Sequence, residues 1–160
     1  MEAWFVINIK PKKEFVVETL FQATRTRVYI PRLLKDGRPA PFFPGYGFIF
    51  FDFPSQFRLV RFMRGVKAVL GHGLQPIPVS PALVEEIQSR ERDGFVRLTE
   101  VYDVAKVGDD VEIVDGPLKG MRGIFNKELK DRERVAILLR YVAYQAQVLI
   151  KRDKLRRVEH

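Results

Sequence analysis

Residues 42–53, FFPGYGFIFFDF, constrain the fold more than any other stretch of this chain. Extended backbone places Tyr46, Phe48 and Phe50 on one side of the run and Gly45, Gly47, Ile49 and Phe51 on the other. A strand apolar on both sides is stable in water only when something packs on each. The segment is therefore predicted to be a central strand, entered through the Pro44-Gly45 bend, with one face on the core of the chain and the other a candidate binding patch. A face that the chain itself does not cover is a binding patch.

The neighbouring segments supply the sheet and its helices. Ala3–Ile9 mixes aromatic and β-branched residues and stops at Lys10-Pro11, as a strand does. Lys12–Thr24 repeats its apolar residues Phe15, Val16, Leu20 and Ala23 at three- and four-residue spacing, the pattern of an amphipathic helix. Val28–Leu33 reads as a short strand. Lys35–Pro41, with Asp36-Gly37 and two prolines, reads as a turn or loop. Ser55 is placed to cap a helix through Met63, Val66–Leu70 is a further strand, and Ser80-Pro81 opens a helix to about Asp93. The predicted order is β-α-β-β-α-β-α.

Around residues 99–106 the periodicity fades and acids appear, which marks a linker between a first domain, 1–98, and a second, 107–160. The second reads as short strands, Asp110–Val114, Arg122–Phe125, Arg134–Tyr141, Gln145–Ile150 and Leu155–Val158, the makings of a small five-stranded barrel. The expected fold is thus α+β, an α/β sandwich on an antiparallel sheet linked to a barrel. From Ile124 onward, however, there is neither glycine nor proline for hairpin turns. Asn126–Arg134 is rich in helix formers, and Leu129, Ile137, Tyr141, Tyr144 and Val148 roughly follow a helical stripe. The barrel, with a charged loop at 126–134, is the main expectation, and a helical hairpin is the alternative.

Composition narrows the function. With no cysteine and only His72 and His160, disulfides, thiol nucleophiles and the common zinc clusters are not expected. No triad surrounds His72, and no phosphate-binding glycine fingerprint occurs, so an enzyme is not expected, nor is a cofactor. No apolar run approaches the roughly 20 residues that span a bilayer, and the start of the chain lacks the order of a signal peptide, so a cytoplasmic protein without membrane contact is expected. The net charge of +8 makes nucleic acid a reasonable partner.

Three pieces carry a resemblance. They are Ala3-Trp4-Phe5-Val6, then Phe43-Pro44-Gly45-Tyr46, then Gly108-Asp109 followed by Asp115-Gly116-Pro117-Leu118-Lys119-Gly120-Met121-Arg122-Gly123. In this order and spacing they resemble the NusG/RfaH family of transcription elongation factors, with 1–98 similar to its N-terminal domain and the remainder to a KOW domain. Physically, Asp115-Gly116-Pro117 is a tight turn, Gly120 suits a left-handed conformation and Gly123 suits close packing. These, with Lys119 and Arg122, form the KOW loop, first a barrel-building device and second a candidate RNA or protein contact.

The resemblance implies further roles. It assigns Trp4, Phe43, Pro44, Tyr46 and Phe48, which are also ordinary core candidates, to a depression that holds the clamp helices of RNA polymerase. It sets Lys10 and Arg64, the latter within Met63-Arg64-Gly65-Val66, beside the non-template DNA strand. It places Gln56, Phe57 and Arg58 at a second polymerase contact. Asn8 departs from the aromatic found there in RfaH-type proteins. A ribosomal protein or the termination factor Rho would be the KOW domain's partner, with the factor itself monomeric. Gly123-Ile124-Phe125, Val135–Leu139 and the Arg-Gly-Val element lean towards the specialised RfaH-like branch. The competing class is a KOW-containing RNA-binding protein of the ribosome or its assembly.

Overall fold

The computed structural model describes residues 1–72, 74–99 and 120–158, with 150–158 described as backbone alone. In chain order its main elements are β1 (Glu2–Ile9), α1 (Glu14–Ala23), β2 (Arg27–Tyr29), β3 (Arg32–Lys35), β4 (Arg38–Pro41), β5 (Tyr46–Asp52), α2 (Phe57–Arg61), β6 (Val66–Val69), α3 (Pro81–Ser89), a 3-10 turn at Met121–Phe125 and α4 (Asp131–Val158). The class is mixed α+β with antiparallel sheets.

The main sheet runs β2-β5-β1-β6, antiparallel throughout. Its two long strands are the expected ones, β1 and the aromatic β5, in a register that sets Trp4 opposite Phe50 and Val6 opposite Phe48. Alternation then sorts the side chains as the sequence requires. Phe5, Ile7, Ile9, Ile49 and Phe51 point to one face, where Val17 and Phe21 of α1 and Val60 of α2 cover them. Trp4, Val6 and Phe48 point to the other, where Leu83, Val84 and Ile87 of α3 and the 3-10 turn and α4 close over them. Both faces of β5 are covered.

Several local expectations are corrected. The single strand at Val28–Leu33 is broken in two around Ile30-Pro31, because proline has no N–H for a ladder. Within Lys35–Pro41 the expected turn is present, at Asp36 and Gly37 with φ +52° and +76°, the pair of left-handed conformations that a two-residue type I′ turn needs, but Arg38–Pro41 is not a loop and pairs as β4 with β3. Strand β5 begins at Tyr46 rather than Phe42, since residues 42–45 form a turn in which the Tyr46 N–H donates to the Phe43 carbonyl at 2.9 Å. Ser55 does not cap α2; its hydroxyl donates to the Asp52 carboxylate at 2.5 Å, and Gln56 takes the cap position. Ser80 does cap α3, accepting from the Ala82 N–H at 3.2 Å, with Pro81 at the first helical position. That helix stops at Ser89 instead of Asp93, because Asp93-Gly94 turns a second small hairpin, 91–92 with 95–96.

The largest correction lies at the C-terminal end. The strands expected at Arg122–Phe125, Arg134–Tyr141, Gln145–Ile150 and Leu155–Val158 are not formed; the first is a 3-10 turn and the others belong to α4. The strand expected at Asp110–Val114 lies outside the described residues. Glycine and proline to turn hairpins are missing, Asp131 and Glu133 stand in the first turn, where the helix dipole favours acids, and Leu138, Tyr141 and Val142 dock on the sheet as one helix face. The helical alternative is realised as one long helix, not a hairpin. Its buried line is Arg134, Leu138, Tyr141 and Val142, so the expected stripe is rotated: Ile137 is half-buried and Tyr144 exposed.

Candidate functional site

The face of the sheet that carries Trp4 and Phe48 is an aromatic surface with a helix laid across it. Trp4 meets Phe50 edge-on at 5.5 Å, and the Arg27 guanidinium lies 5.1 Å from the first ring and 5.0 Å from the second. Phe43 packs edge-on between Phe42 at 4.9 Å and Phe48 at 6.1 Å. Phe125 stacks on Phe42 at 6.0 Å and is itself overlaid by the Arg90 guanidinium at 4.2 Å. Trp4, Phe43 and Phe48 are buried, while Pro44 and Tyr46 are half-buried at the rim. All five resemblance-assigned residues therefore lie together on one side of the sheet or at the bend leading into it.

Polar contacts hold the C-terminal elements there. Arg134, only 2% exposed, donates through Nε to the Phe42 carbonyl at 3.1 Å and through Nη1 to the Leu129 carbonyl at 2.8 Å, and it pairs with Asp131. Asp131 in turn takes Lys35 Nζ of the β3–β4 hairpin at 2.6 Å. The Thr99 N–H donates to the Phe125 carbonyl at 2.9 Å and Thr99 bridges Asn126. Sequence reasoning missed Arg134, since its only signal was the four-residue step to Leu138 in a run dense with charges.

Two hydroxyls in this covered layer are poorly served. The hydroxyl of buried Tyr141 of α4 lies beside Ser80 and that of half-buried Tyr29 of β2 beside Glu91, both shielded from water, yet neither meets a partner in good hydrogen-bond geometry. Burial pushes the Tyr141 hydroxyl above its ordinary value of 10.0. Burial first, and the Glu91 carboxylate second, do the same to Tyr29.

The opposite face presents cations. The bend at Gly45 and the turn at Gly65 meet at the end of β1: the Ile9 N–H donates to the Gly45 carbonyl at 2.7 Å and the N–H of the next residue, Lys10, to the Gly65 carbonyl at 2.8 Å. Gly65 sits at φ +94°, and a Cβ there would stand 2.7 Å from Val17 Cγ2, so only glycine fits. The Lys10 and Arg64 side chains flank this junction, both exposed. Gln56 and Arg58 are exposed on or beside α2, whereas Phe57 packs inward at 5.4 Å from Phe53 and 6.4 Å from Phe51.

Of the KOW-loop residues, Asp115, Gly116, Pro117 and Lys119 lie outside the described residues. Gly120 adopts the expected left-handed conformation, at φ +90°. Arg122 is exposed on the 3-10 turn, and Gly123 lies within that turn, where an added Cβ would meet only Ile137 Cδ1 at 3.9 Å, an ordinary contact. Among the described residues no group of three or more His, Cys, Asp or Glu side chains is placed to hold a metal ion, and no helix is long and apolar enough to cross a membrane.

The described residues thus combine an antiparallel α+β sandwich, an aromatic sheet face covered by α3, the 3-10 turn and α4, and exposed cations at Lys10 and Arg64. Residues 2–88 match the family model described as NusG, transcription termination factor, and the chain belongs to that family. The transcription termination/antitermination protein NusG of Thermus thermophilus is 30% identical over 106 residues, which cover 61% of this chain and 56% of that protein. The chain thus matches little more than half the length of that relative. A solved structure concerning domain interaction in Thermotoga maritima NusG is similar over 74% of this chain and 75% of its own, at 26% identity and a TM-score of 0.46.

Proposed function

We propose that this chain is a transcription elongation and antitermination factor that acts by binding alone. In this reading residues 1–98 form the polymerase-binding domain, and the sheet face bearing Trp4, Phe43, Pro44, Tyr46 and Phe48 receives the clamp helices of RNA polymerase. Lys10 and Arg64 touch the non-template DNA strand, with Gln56 and Arg58 at a second polymerase contact. Holding the clamp closed would suppress pausing or termination, without any chemical step.

The observation that carries the reading is α4 itself. The aromatic face of this NusG-family chain accepts a helix, docked through Leu138, Tyr141 and Val142 into the cluster of Trp4 and Phe48. A surface able to bury one amphipathic helix is suited to another, which is the helix-in-groove mode of recognition. In the described conformation α4 occupies that surface, so polymerase and α4 compete for it and the chain is autoinhibited, as in a specialised RfaH-like factor. Once released, residues 107–160 would form the KOW domain and recruit a ribosomal protein or Rho.

The test passes core RNA polymerase over the immobilised chain at moderate salt, beside a Pro44→Ala/Tyr46→Ala variant and beside ribosomal RNA. Rim residues are chosen because Phe43 and Phe48 are wholly buried and their truncation would disturb the core. Because α4 competes for the surface, the comparison is repeated in a Leu138→Glu background, and polymerase retained there more with Pro44 and Tyr46 intact than with both replaced supports the reading. Retention of ribosomal RNA with indifference to polymerase would favour a ribosomal role instead.

A further inference from the structure

Between Asp52 and Glu85 the chain has no acidic residue, while Arg58, Arg61, Arg64 and Lys67 fall within that interval. The fold sets this stretch beside the Lys10-Pro11-Lys12-Lys13 turn: Gly65 accepts from the Lys10 N–H, and a Cβ on Gly65 would lie 3.7 Å from Lys13 Cβ. Lys10, Lys12, Lys13, Arg58, Arg64 and Lys67 are exposed. Neither they nor Arg61 form an ion pair with another described residue. The acids bordering this face are occupied or buried: Asp52 accepts from Ser55 and the N-terminal ammonium, Glu18 pairs with Arg32, and Glu14 is 5% exposed. Unpaired cations gathered on one surface create an attractive field for a polyanion.

Amid these cations stands Phe62, 70% exposed at the end of α2, with the Arg61 guanidinium 5.3 Å from its ring centroid. The Phe62 N–H donates to the Arg58 carbonyl at 3.1 Å, so the cationic Arg58 lies one helical turn away. An aromatic ring held open to water costs hydration free energy and contributes nothing to either core cluster. Exposed rings among basic side chains are the means by which single strands are gripped without sequence readout: bases stack on the ring and phosphates meet the cations.

We propose that Phe62 is a base-stacking platform for single-stranded DNA, with Arg58, Arg61 and Arg64 carrying the phosphates that flank the stacked base. This rests on the proposed DNA contact at Lys10 and Arg64 and adds to it a residue that the resemblance does not assign. The platform lies on the α1/α2 side of the sheet, away from α4, so a strand is bound whether or not the aromatic face is covered.

The test is fluorescence anisotropy of a labelled mixed-sequence DNA dodecamer with the full chain, over a range of salt, using wild type, Phe62→Ala, Phe62→Trp and Arg64→Gln. Phe62→Ala is expected to weaken binding about tenfold with its salt dependence unchanged, and Phe62→Trp to retain affinity and show quenched indole emission on binding. Arg64→Gln is expected to flatten the salt dependence by roughly one unit. Since Phe62 is largely exposed, the alanine variant keeps its fold. Undiminished binding by Phe62→Ala while Arg64→Gln is weakened overturns the stacking platform and leaves the DNA contact standing. Tighter binding of the same sequence as duplex or as RNA overturns the assignment to single-stranded DNA. Absence of binding by wild type at low salt overturns the DNA contact itself.

Discussion

Arg134 and Phe42 are joined twice: the guanidinium lies 4.9 Å from the ring centroid, and its Nε donates to the Phe42 carbonyl at 3.1 Å. The pair links α4 to the turn that leads into the central strand, across 92 residues of sequence. The same side chain satisfies the Leu129 carbonyl ahead of α4, so one residue closes both the helix start and its docking.

Removing this guanidinium leaves two carbonyls without their donor. Arg134→Ala is expected to weaken α4 docking by about 1–3 kcal/mol, and Arg134→Lys to recover little of it, because one ammonium cannot reproduce the planar fork. Trp4, the single tryptophan, lies in the covered cluster and reports the change. Its emission should shift to the red at a lower urea concentration in the alanine variant. An unchanged urea midpoint would remove Arg134 from the account of docking.

Tyr141 predicts an effect of opposite sign. Its buried hydroxyl lacks a partner, so Tyr141→Phe is expected to strengthen docking by about 1 kcal/mol. The pH dependence follows from the raised hydroxyl value. The docked form holds the phenolic proton more tightly than the released form, so docking is at full strength below pH 10 and weakens as pH rises above it. Tyr29, raised by burial and by Glu91, adds an alkaline loss of stability of the sheet itself. Tyr141→Phe should reduce, without abolishing, the alkaline red shift of Trp4 emission. An identical alkaline profile in wild type and variant would contradict this.

Gly65 ties the turn before β6 to α1. At φ +94°, with Val17 Cγ2 2.7 Å from the position of an added Cβ, Gly65→Ala combines backbone strain with overlap against α1. A loss of about 1–3 kcal/mol is expected, seen as a lower thermal midpoint. Gly37→Ala, strained at φ +76° but with open space around it, should cost less. Equal midpoints for the two variants would mean that the contact with Val17 carries no weight.

The sheet was legible in the sequence because its determinants are local. Two-sided apolar alternation in β5, the aromatic β1 and the Ser80-Pro81 start of α3 each specify one element whatever lies around them. The turn at Asp36-Gly37 is legible, but the strand that follows it is not, because prolines at 39 and 41 suggest a loop; both fit on a strand paired on one side only. The C-terminal stretch was harder. Val135, Ile137 and Val142 suit strands, and Glu133, Leu138 and Arg140 suit helices, so local propensity was near balance. The docking of Leu138 and Tyr141 against a face 90 residues earlier in the chain favours the helix. The candidate site was legible as residue types and not as a state: Trp4, Phe43 and Phe48 were picked out, but that a helix of the same chain covers them depends on long-range packing.

Whether α4 covers the proposed polymerase surface is decided by Leu138→Glu. Leu138 is wholly buried against that surface, and a carboxylate there opposes docking while leaving the α1/α2 side of the sheet intact. Retention of core RNA polymerase by immobilised wild type, Leu138→Glu and Leu138→Glu/Tyr46→Ala is the measurement. Leu138→Glu is expected to be retained markedly more than wild type, and to lose that gain when Tyr46→Ala is added. Equal retention by wild type and by a Leu138→Glu variant whose Trp4 emission reports an uncovered face would contradict this expectation.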